Sequence, residues 1–254
     1  MEKLDTIILA GGFGSRISEK TKIIPKPMIN IGKDPIIVHI IKKYHKAGIE
    51  SFVIATGYKF NVINNFFKSK CISYENIGKN SYSFIYKIKN KKIRIKTIFT
   101  GQKTLTGTRI LKLKKYIKTS KFFLTYGDGL SDVDLKKLLN FHNKQKKIAT
   151  ITAVRPPVRF GELLIKDDLV ISFKEKPQLN DGWINGGFFI FEDSFFKIIS
   201  KKINVMLERQ PLESLTRKKN LIAFKHKGFW QCMDTIRDYN ILSKLNTKNA
   251  PWKK

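Results

Sequence analysis

The stretch Ile8-Leu9-Ala10-Gly11-Gly12-Phe13-Gly14-Ser15-Arg16, followed by Pro25-Lys26-Pro27-Met28, decides the fold. A short apolar run, Thr6 to Ala10, predicts a buried strand that stops at closely spaced glycines. Glycine has no Cβ and tolerates positive φ, so its backbone N–H can approach a ligand closely. A concave set of N–H groups binds anions, most often phosphate. The stretch therefore predicts a loop that handles a phosphorylated molecule.

Two common phosphate-binding loop motifs do not fit this sequence. A Walker loop needs Gly-Lys-Ser/Thr after its spacer, and no such string occurs. A dinucleotide fingerprint starting at Gly12 would need a third glycine where Ile17 stands. The pattern that does fit is Leu-Ala-Gly-Gly-x-Gly-Ser/Thr-Arg with a later Pro-Lys-Pro. It resembles the loop of the sugar-phosphate nucleotidylyltransferases. The alternative, a glycine-rich turn beside a solvated Arg16, explains less of the string.

Length and composition fit a globular α/β protein. The chain has 254 residues, of which 42% are hydrophobic, enough for one large domain or two small ones. No apolar run approaches the roughly 18 residues of a membrane-spanning helix. Acidic Glu2 and Asp5 make a signal peptide unexpected. Cys71 and Cys232 are too few for a disulfide framework, so we expect a cytoplasmic protein.

The net charge of +30, from 50 Lys and Arg against 20 Asp and Glu, would usually suggest nucleic acid or an anionic membrane. The lysines are scattered, however, and Lys87 to Lys96 alternates lysine with isoleucine, which predicts a strand with a solvated basic face. We therefore expect no nucleic-acid and no membrane partner. The positive field would still favour capture of nucleotide and sugar-phosphate anions.

Apolar runs alternate with helix-like stretches along the chain. Strands are predicted at Thr6–Ala10, Ser51–Thr56, Ile93–Phe99, Phe122–Tyr126, Ala149–Val154 and Phe188–Phe191. Helices are predicted at Pro35–Ala47, ended by Gly48, and at Asn61–Lys68 and Leu135–His142. This alternation predicts an α/β fold with a Rossmann-like, doubly wound, mostly parallel central sheet and helices on both faces. We expect a small β-hairpin insertion near Tyr82–Ile95 and a single domain over 1–254.

Two acidic residues carry the remaining chemistry. Asp128 ends the buried run Phe122 to Gly127, and ligand sites of open α/β sheets lie just past the carboxyl ends of strands. Asp234 follows Trp230-Gln231-Cys232-Met233 much later in the chain, so only the fold can bring the two together. Mg²⁺ is typically held by one or two carboxylates plus phosphates and water. The alternative is that Asp128 caps a turn and Asp234 caps a helix.

Further strings strengthen the resemblance and extend it over the whole chain. They point to the cytidylyl branch of the sugar-phosphate nucleotidylyltransferases. The chain departs from that family at Thr106-Gly107-Thr108-Arg109, where Thr108 stands in place of the second glycine of Thr-Gly-Gly-Arg. In order, the strings are Leu9–Arg16, Pro25–Met28, Leu124–Gly129, Arg159–Gly161, Phe173–Pro177, Ile184–Phe189, Gly228–Gln231, Met233–Thr235 and Ala250–Lys253.

The resemblance implies a role for each matching residue. The catalytic residues would be Arg16, Lys26 and Asp128. The nucleotide would be bound by Leu9, Ala10, Gly11, Gly12, Gly14, Ser15, Arg16, Lys26, Thr104, Arg109, Gly127 and Asp128. The sugar phosphate would be bound by Glu175, Lys176, Asn185 and Gly186. Mg²⁺ would be held by Asp128 and Asp234. Residues 1–130 would form the nucleotide part, residues 131–254 the sugar-phosphate part, and the chain would form a homo-oligomer.

The implied reaction transfers the cytidylyl group of CTP to α-D-glucose 1-phosphate and releases pyrophosphate. The sugar phosphate is already an anion at neutral pH, so positioning and charge neutralisation suffice. Three alternatives stay open at this point. They are the same chemistry with another base or sugar, as in a thymidylyl- or uridylyltransferase, a catalytically silent nucleotide-sugar sensor, and a basic RNA-binding protein.

Overall fold

The structure is a computed structural model that describes residues 3–155, 162–174 and 182–253. The strands are β1 (Asp5–Ala10), β2 (Asn30–Ile31), β3 (Asp34–Pro35), β4 (Ser51–Thr56), β5 (Ser73–Gly78), β6 (Ser81–Ile88), β7 (Lys91–Phe99), β8 (Lys121–Tyr126), β9 (Gly129–Ser131), β10 (Ala149–Val154), β11 (Glu162–Lys166), β12 (Leu169–Lys174), β13 (Ile184–Glu192), β14 (Leu221–His226) and β15 (Trp230–Cys232). The α-helices are α1 (Ser18–Thr21), α2 (Ile36–Lys46), α3 (Phe60–Lys70), α4 (Thr106–Leu113), α5 (Leu135–Gln145), α6 (Gln210–Arg217) and α7 (Ile236–Leu245). Single turns of 3-10 helix lie at Ser15–Ile17, Lys26–Met28, Lys114–Tyr116, Asp193–Lys197 and Pro251–Lys253.

A nine-stranded sheet runs through the molecule in the order β14-β10-β13-β8-β1-β4-β7-β6-β5. The four central strands β8, β1, β4 and β7 are parallel, as are β10 and β14. The predicted α/β, doubly wound fold is confirmed, with its parallel character concentrated in the centre. The sheet as a whole is mixed, because β13 runs antiparallel between β8 and β10 and because β5, β6 and β7 form an antiparallel meander.

The alternation of side chains along the central strands explains why helices cover both faces. In β1, Ile8 and Ala10 belong to one apolar core, whereas Ile7 and Leu9 belong to a second core on the opposite face. Successive residues of a strand point to opposite faces, so a strand that is apolar throughout needs cover on both. Helices α2, α3, α5 and α7 supply the first core, and α4 and α6 supply the second.

The predicted hairpin is present, but as the edge of the main sheet. Strands β6 and β7 pair antiparallel from Tyr82↔Thr97 to Ile88↔Lys91, and β7 continues the parallel order next to β4. Helix α2 ends just before Gly48, which has a φ of +97° and donates its N–H to His45. The predicted helix end is therefore confirmed. No helix in the described ranges is both long and apolar enough to cross a bilayer.

The chain near its C-terminal end packs beneath β15 and supports the segment that follows it. Trp252 is 2% exposed, and its indole N–H donates to His39 Nδ1 at 3.3 Å. Its ring lies 5.7 Å from that of Phe229, just before β15. Thr235 then caps the N-terminus of helix α7, with a capping box completed by Asp238. Both ends of the segment that contains Asp234 are thus fixed.

Candidate active site

One cavity of about 610 Å³ opens where β1 and β8 end side by side. The two strands are in register at Leu9 and Tyr126, and the N–H of Gly127 donates to the Leu9 carbonyl at 2.9 Å. The loops that leave these strands are therefore neighbours, as expected for the carboxyl ends of parallel strands. A third segment arrives from β15, which pairs with β9 and ends at Cys232, opposite Gly129.

The cavity brings together every predicted site residue that lies in the described ranges. Its lining includes Leu9, Ala10, Gly11, Gly12, Gly14, Ser15, Arg16, Lys26, Thr104, Arg109, Gly127, Asp128, Asn185, Gly186 and Asp234. The predicted Glu175 and Lys176 lie outside the described residues, as does the string Arg159-Phe160-Gly161. Their roles stay predictions.

At the floor of the cavity, one ammonium bridges two carboxylates. Lys26 Nζ lies 2.6 Å from Asp128 Oδ2 and 2.5 Å from Asp234 Oδ1. Arg16 Nη1 lies 2.7 Å from the other oxygen of Asp234. Lys26 is 7% exposed, whereas the Arg16 side chain is 74% exposed. The two cations thus balance the charges of the two carboxylates, with Lys26 buried and Arg16 at the cavity mouth.

The segment around Lys26 holds the ammonium in place. Pro25 has φ −69° and ψ 147° and precedes the 3-10 turn Lys26–Met28, whose Met28 N–H donates to the Pro25 carbonyl at 2.8 Å. Prolines on both sides of Lys26 fix the backbone, since the pyrrolidine ring locks φ. Pro27 also packs beside Gly127, where an added Cβ would lie 3.1 Å from the ring.

The charges of the cluster stabilise one another. Burial alone would lower the pKa of Lys26, but the charge of Asp128 and hydrogen bonds to both carboxylates raise it. Burial likewise opposes ionisation of Asp234, yet the hydrogen bond and charge of Lys26, followed by Arg16, hold the pKa of that carboxyl below its usual value. At neutral pH, Lys26 is therefore protonated and Asp234 ionised.

Asp128, Cys232 and Asp234 together form a group that can hold a metal. One ligand atom from each lies within 4.8 Å of the others. Burial raises the pKa of the Cys232 thiol above its ordinary range, and Asp128 adds to the effect, so the sulfur is neutral at physiological pH. The strong ligands are therefore the two carboxylates, and hard divalent cations prefer such oxygen donors. The donor set fits a divalent cation.

The alternative capping roles of the two aspartates do not apply. The N-cap of α7 is Thr235, whose hydroxyl accepts from the Asp238 N–H, while the Asp234 carboxylate contacts Lys26 and Arg16 instead. The carboxylate of Asp128 contacts Lys26, and its backbone carbonyl accepts from Met233 at 2.9 Å. Both side chains face the cavity rather than their own backbone.

The glycine loop presents backbone donors to the cavity. Within the described residues, the N–H groups of Gly12, Phe13 and Gly14 donate to no protein acceptor. Gly14 has a φ of +67°, a conformation that favours glycine, and its carbonyl accepts from Thr21 Oγ1 at 3.1 Å. Exposed N–H groups next to Arg16 and Lys26 suit an anionic ligand, as the sequence predicts.

Arg109 clamps this loop from below. Its guanidinium is 3% exposed and donates to oxygens at the ends of three chain segments. The acceptors are Gly11 O at 2.8 Å, Thr56 O at 3.1 Å, Thr100 Oγ1 at 2.5 Å, Gly101 O at 2.7 Å and Gln102 O at 3.1 Å. Burial lowers the pKa of Arg109 to about 10, so it stays charged at neutral pH. An added Cβ at Gly11 would lie 2.4 Å from the guanidinium, which explains the glycine there.

We expect Arg109→Lys to loosen the loop, because one ammonium cannot replace a fork of donors to five acceptors. Unpaired buried carbonyls cost on the order of 3 kcal/mol in unfolding free energy here. Thermal denaturation should show the loss, and the KM for nucleotide should rise. The matched control is Arg237→Lys on the exposed face of α7. Equal melting temperatures and KM values for the two variants would contradict the clamp.

The departure at Thr108 has a structural use. The Thr108 hydroxyl accepts from the Val205 N–H at 2.9 Å, and Thr106 Oγ1 accepts from the Leu207 N–H at 2.8 Å. Asn204 Oδ1 also accepts from the Leu105 N–H at 2.8 Å. The two threonines of α4 thus hold a segment that lies about a hundred residues later in the chain.

A network of hydrogen-bonded side chains on the opposite wall of the cavity was not predicted from the sequence. The Tyr126 hydroxyl contacts Glu208 Oε1, and Asn185 Nδ2 donates to the same hydroxyl at 3.1 Å. Beside it, Trp230 Nε1 donates to the Gly186 carbonyl at 2.7 Å. Glu208 lies just before α6, where acidic residues are common on exposed helix ends, so nothing in its local sequence marks it.

Comparison with known proteins agrees with this geometry. A family model described as nucleotidyl transferase matches residues 5–247. The glucose-1-phosphate cytidylyltransferase of Salmonella typhimurium is 40% identical over 98% of this chain and 99% of its own length. A probable glucose-1-phosphate cytidylyltransferase of Bacillus subtilis is 36% identical over 98% of this chain and 99% of its own. The crystal structure of HddC from Yersinia pseudotuberculosis superposes with a TM-score of 0.68, at 25% identity, covering 95% of this chain and 98% of that one.

These matches span the chain almost from end to end, including both sides of the cavity. The resemblance predicted from the motifs is therefore confirmed, and so is the enzyme class. The chain belongs to the nucleotidyl transferase family and, within it, to the family of the glucose-1-phosphate cytidylyltransferases.

Proposed function

We propose that this protein transfers the cytidylyl group of CTP to α-D-glucose 1-phosphate, giving CDP-glucose and pyrophosphate. The observation that carries the proposal is the Lys26 ammonium held between Asp128 and Asp234 beneath a loop of exposed N–H donors. Triphosphate chemistry needs such a combination of cations, metal-holding carboxylates and anion-binding backbone. The relatives named glucose-1-phosphate cytidylyltransferase support the choice of base and sugar.

In this reaction, a phosphate oxygen of the sugar phosphate attacks the α-phosphorus of CTP. A new P–O bond forms there as the bond to the β-phosphate breaks, and pyrophosphate leaves with that electron pair. A phosphate monoester has a second pKa of about 6, so the nucleophile is ionised and needs no general base. The chain's task is to align the two phosphates and neutralise their charge.

We assign the charge-neutralising work to Lys26 and Arg16. Lys26 is buried and held by neighbours, so its ammonium reaches the reacting phosphate with little reorganisation. Arg16 is exposed at the cavity mouth and has five donors, which suits the outer phosphates. The N–H groups of Gly12 to Gly14 bind the remaining phosphate oxygens.

We propose Mg²⁺ as the divalent ion that Asp128 and Asp234 hold, since Mg²⁺ favours one or two carboxylates together with substrate phosphates. When bound, it supplies positive charge against the phosphate oxygens. The neutral thiol of Cys232 makes a soft metal less suited to the site.

We also propose the division of labour predicted from the sequence. The cavity wall drawn from residues 1–130 includes the glycine loop, Thr104 and Arg109, and would hold the nucleotide. The wall drawn from residues 131–254 includes Asn185 and Gly186, and would hold the sugar. We keep a homo-oligomer and a cytoplasmic location as part of the proposal.

The decisive experiment measures pyrophosphate release from CTP, dTTP, UTP and GTP, each with glucose 1-phosphate and Mg²⁺. We expect kcat/KM to be at least about tenfold higher for CTP, and CDP-glucose as its product by mass spectrometry. Glucose 6-phosphate is the matched control sugar, and it should give no product.

Higher kcat/KM with dTTP or UTP would overturn the choice of base and favour the thymidylyl or uridylyl alternative. Nucleotide binding without turnover on any sugar phosphate would favour a silent sensor. RNA affinity that falls steeply with salt, again without turnover, would favour the RNA-binding alternative.

A further inference from the structure

We propose that Glu208 is a positioning residue that sets the orientation of Tyr126 and Asn185 and thereby controls affinity for the sugar phosphate. The inference rests on the proposed function, because it concerns the sugar side of the same cavity. Nothing in the motifs that identify the family includes Glu208.

The first observation is that a carboxylate, Glu208, lies in a cavity whose other charged groups suit an anionic ligand. Glu208 lines the cavity that holds Arg16 and Lys26, yet among the described residues no cation pairs with its carboxylate. A carboxylate facing a phosphate would be repelled. Glu208 therefore marks the part of the cavity that receives the uncharged portion of a ligand, namely a hydroxylated ring.

The second observation is the direction of the hydrogen bonds. An ionised carboxylate only accepts, so Tyr126 must donate its single hydroxyl proton to Glu208 Oε1. The Tyr126 oxygen is then left to accept, and it does so from Asn185 Nδ2 at 3.1 Å. The other oxygen of Glu208 accepts from Thr106 Oγ1 at 3.0 Å, which fixes the carboxylate itself.

The third observation is the state of the Asn185 amide. Its Oδ1 accepts from the Gly187 N–H at 2.8 Å, while one Nδ2 proton goes to Tyr126. The amide can therefore adopt only one of its two flipped orientations. One N–H and one oxygen lone pair remain for a ligand hydroxyl, in a fixed direction.

The last observation concerns how Glu208 itself is held. Its own segment is hydrogen-bonded to α4 through Val205 and Leu207, whose N–H groups donate to Thr108 and Thr106. Helix α4 also carries Arg109, which clamps the glycine loop. Glu208 thus fixes the sugar wall relative to the nucleotide wall.

Removing the carboxylate should free the Tyr126 hydroxyl to donate elsewhere and release the Asn185 amide. We expect Glu208→Ala and Tyr126→Phe each to raise the KM for glucose 1-phosphate about tenfold, the effect of one lost hydrogen bond. The KM for CTP should stay within about twofold and kcat within about threefold. Should Glu208→Ala fail to fold, Tyr126→Phe tests the same chain of bonds.

Glu208→Gln distinguishes positioning from direct contact. A glutamine carbonyl can accept from Tyr126 while its amide donates to Thr106 Oγ1, so orientation survives without the charge. We therefore expect the KM of Glu208→Gln for glucose 1-phosphate to remain near the wild-type value. The control is Tyr116→Phe, whose hydroxyl makes no hydrogen bond among the described residues.

The outcomes separate this inference from the proposed function. If Glu208→Gln loses as much affinity as Glu208→Ala, the carboxylate contacts the sugar directly and the positioning role is wrong. If Glu208→Ala leaves the sugar KM unchanged, the inference fails while the proposed function stands. If wild-type protein does not turn over CTP with glucose 1-phosphate, the proposed function itself fails.

Discussion

Lys26→Ala should lower kcat for nucleotidyl transfer by about a thousandfold, the largest effect that we expect from one substitution. The Lys26 ammonium is the only cation that touches both Asp128 and Asp234 in the described part of the chain. Without it, the reacting phosphate loses its buried positive partner. The experiment is steady-state pyrophosphate release at saturating CTP and glucose 1-phosphate, with folding checked by circular dichroism.

Two further variants make the Lys26 result interpretable. Lys26→Gln keeps most of the length of the side chain and a polar end without the charge, so it should be nearly as slow as Lys26→Ala. Lys22→Ala removes an exposed lysine a few residues away and should leave kcat unchanged. Near-normal kcat in a folded Lys26→Ala protein would refute the proposed role of Lys26.

Asp128→Asn should lower kcat at least a hundredfold and weaken metal binding, because an amide oxygen carries no full charge for a divalent ion. Loss of one carboxylate also leaves Lys26 with Asp234 alone. Steady-state rates over a range of Mg²⁺ concentrations should show a shift to higher concentration. Titration with Mn²⁺, followed by electron paramagnetic resonance of the free ion, measures the affinity without turnover.

The control for Asp128→Asn is Asp193→Asn, an exposed aspartate that does not line the cavity. It should bind Mn²⁺ as the wild type does. Equal Mn²⁺ affinity of Asp128→Asn and wild type would remove Asp128 from the metal site, whatever the effect on rate.

The central sheet could be predicted because its strands are buried on both faces and appear as short apolar runs. The runs at Ser51–Thr56 and Ala149–Val154 coincide with β4 and β10. The direction of β13 could not be predicted, since an apolar run has the same composition whichever way it enters a sheet. Helix α4 was also missed, because it is short and carries a glycine at its second position.

The part of the cavity that we propose binds the nucleotide could be predicted as a cluster because its residues lie in two local strings. The loop Leu9–Arg16 and the turn around Lys26 each bring their functional atoms together within a few residues. The wall formed by Tyr126, Asn185 and Glu208 could not be predicted. Asn185 and Glu208 lie 59 and 82 positions after Tyr126 and meet it only in the folded chain. The bridge that Lys26 forms between two distant aspartates is likewise a property of the fold.

The antiparallel course of β13 has a consequence for how such enzymes diversify. The nucleotide wall follows the carboxyl ends of β1 and β8, whereas Asn185 and Gly186 lie at the amino end of β13. The same edge of the sheet is thus lined by the ends of β1 and β8 and by the start of the antiparallel β13. These segments are encoded by separate parts of the gene. On the proposed assignment, recombination or engineered grafting at the start of β13 can exchange the acceptor sugar while the machinery for nucleotide activation is inherited intact.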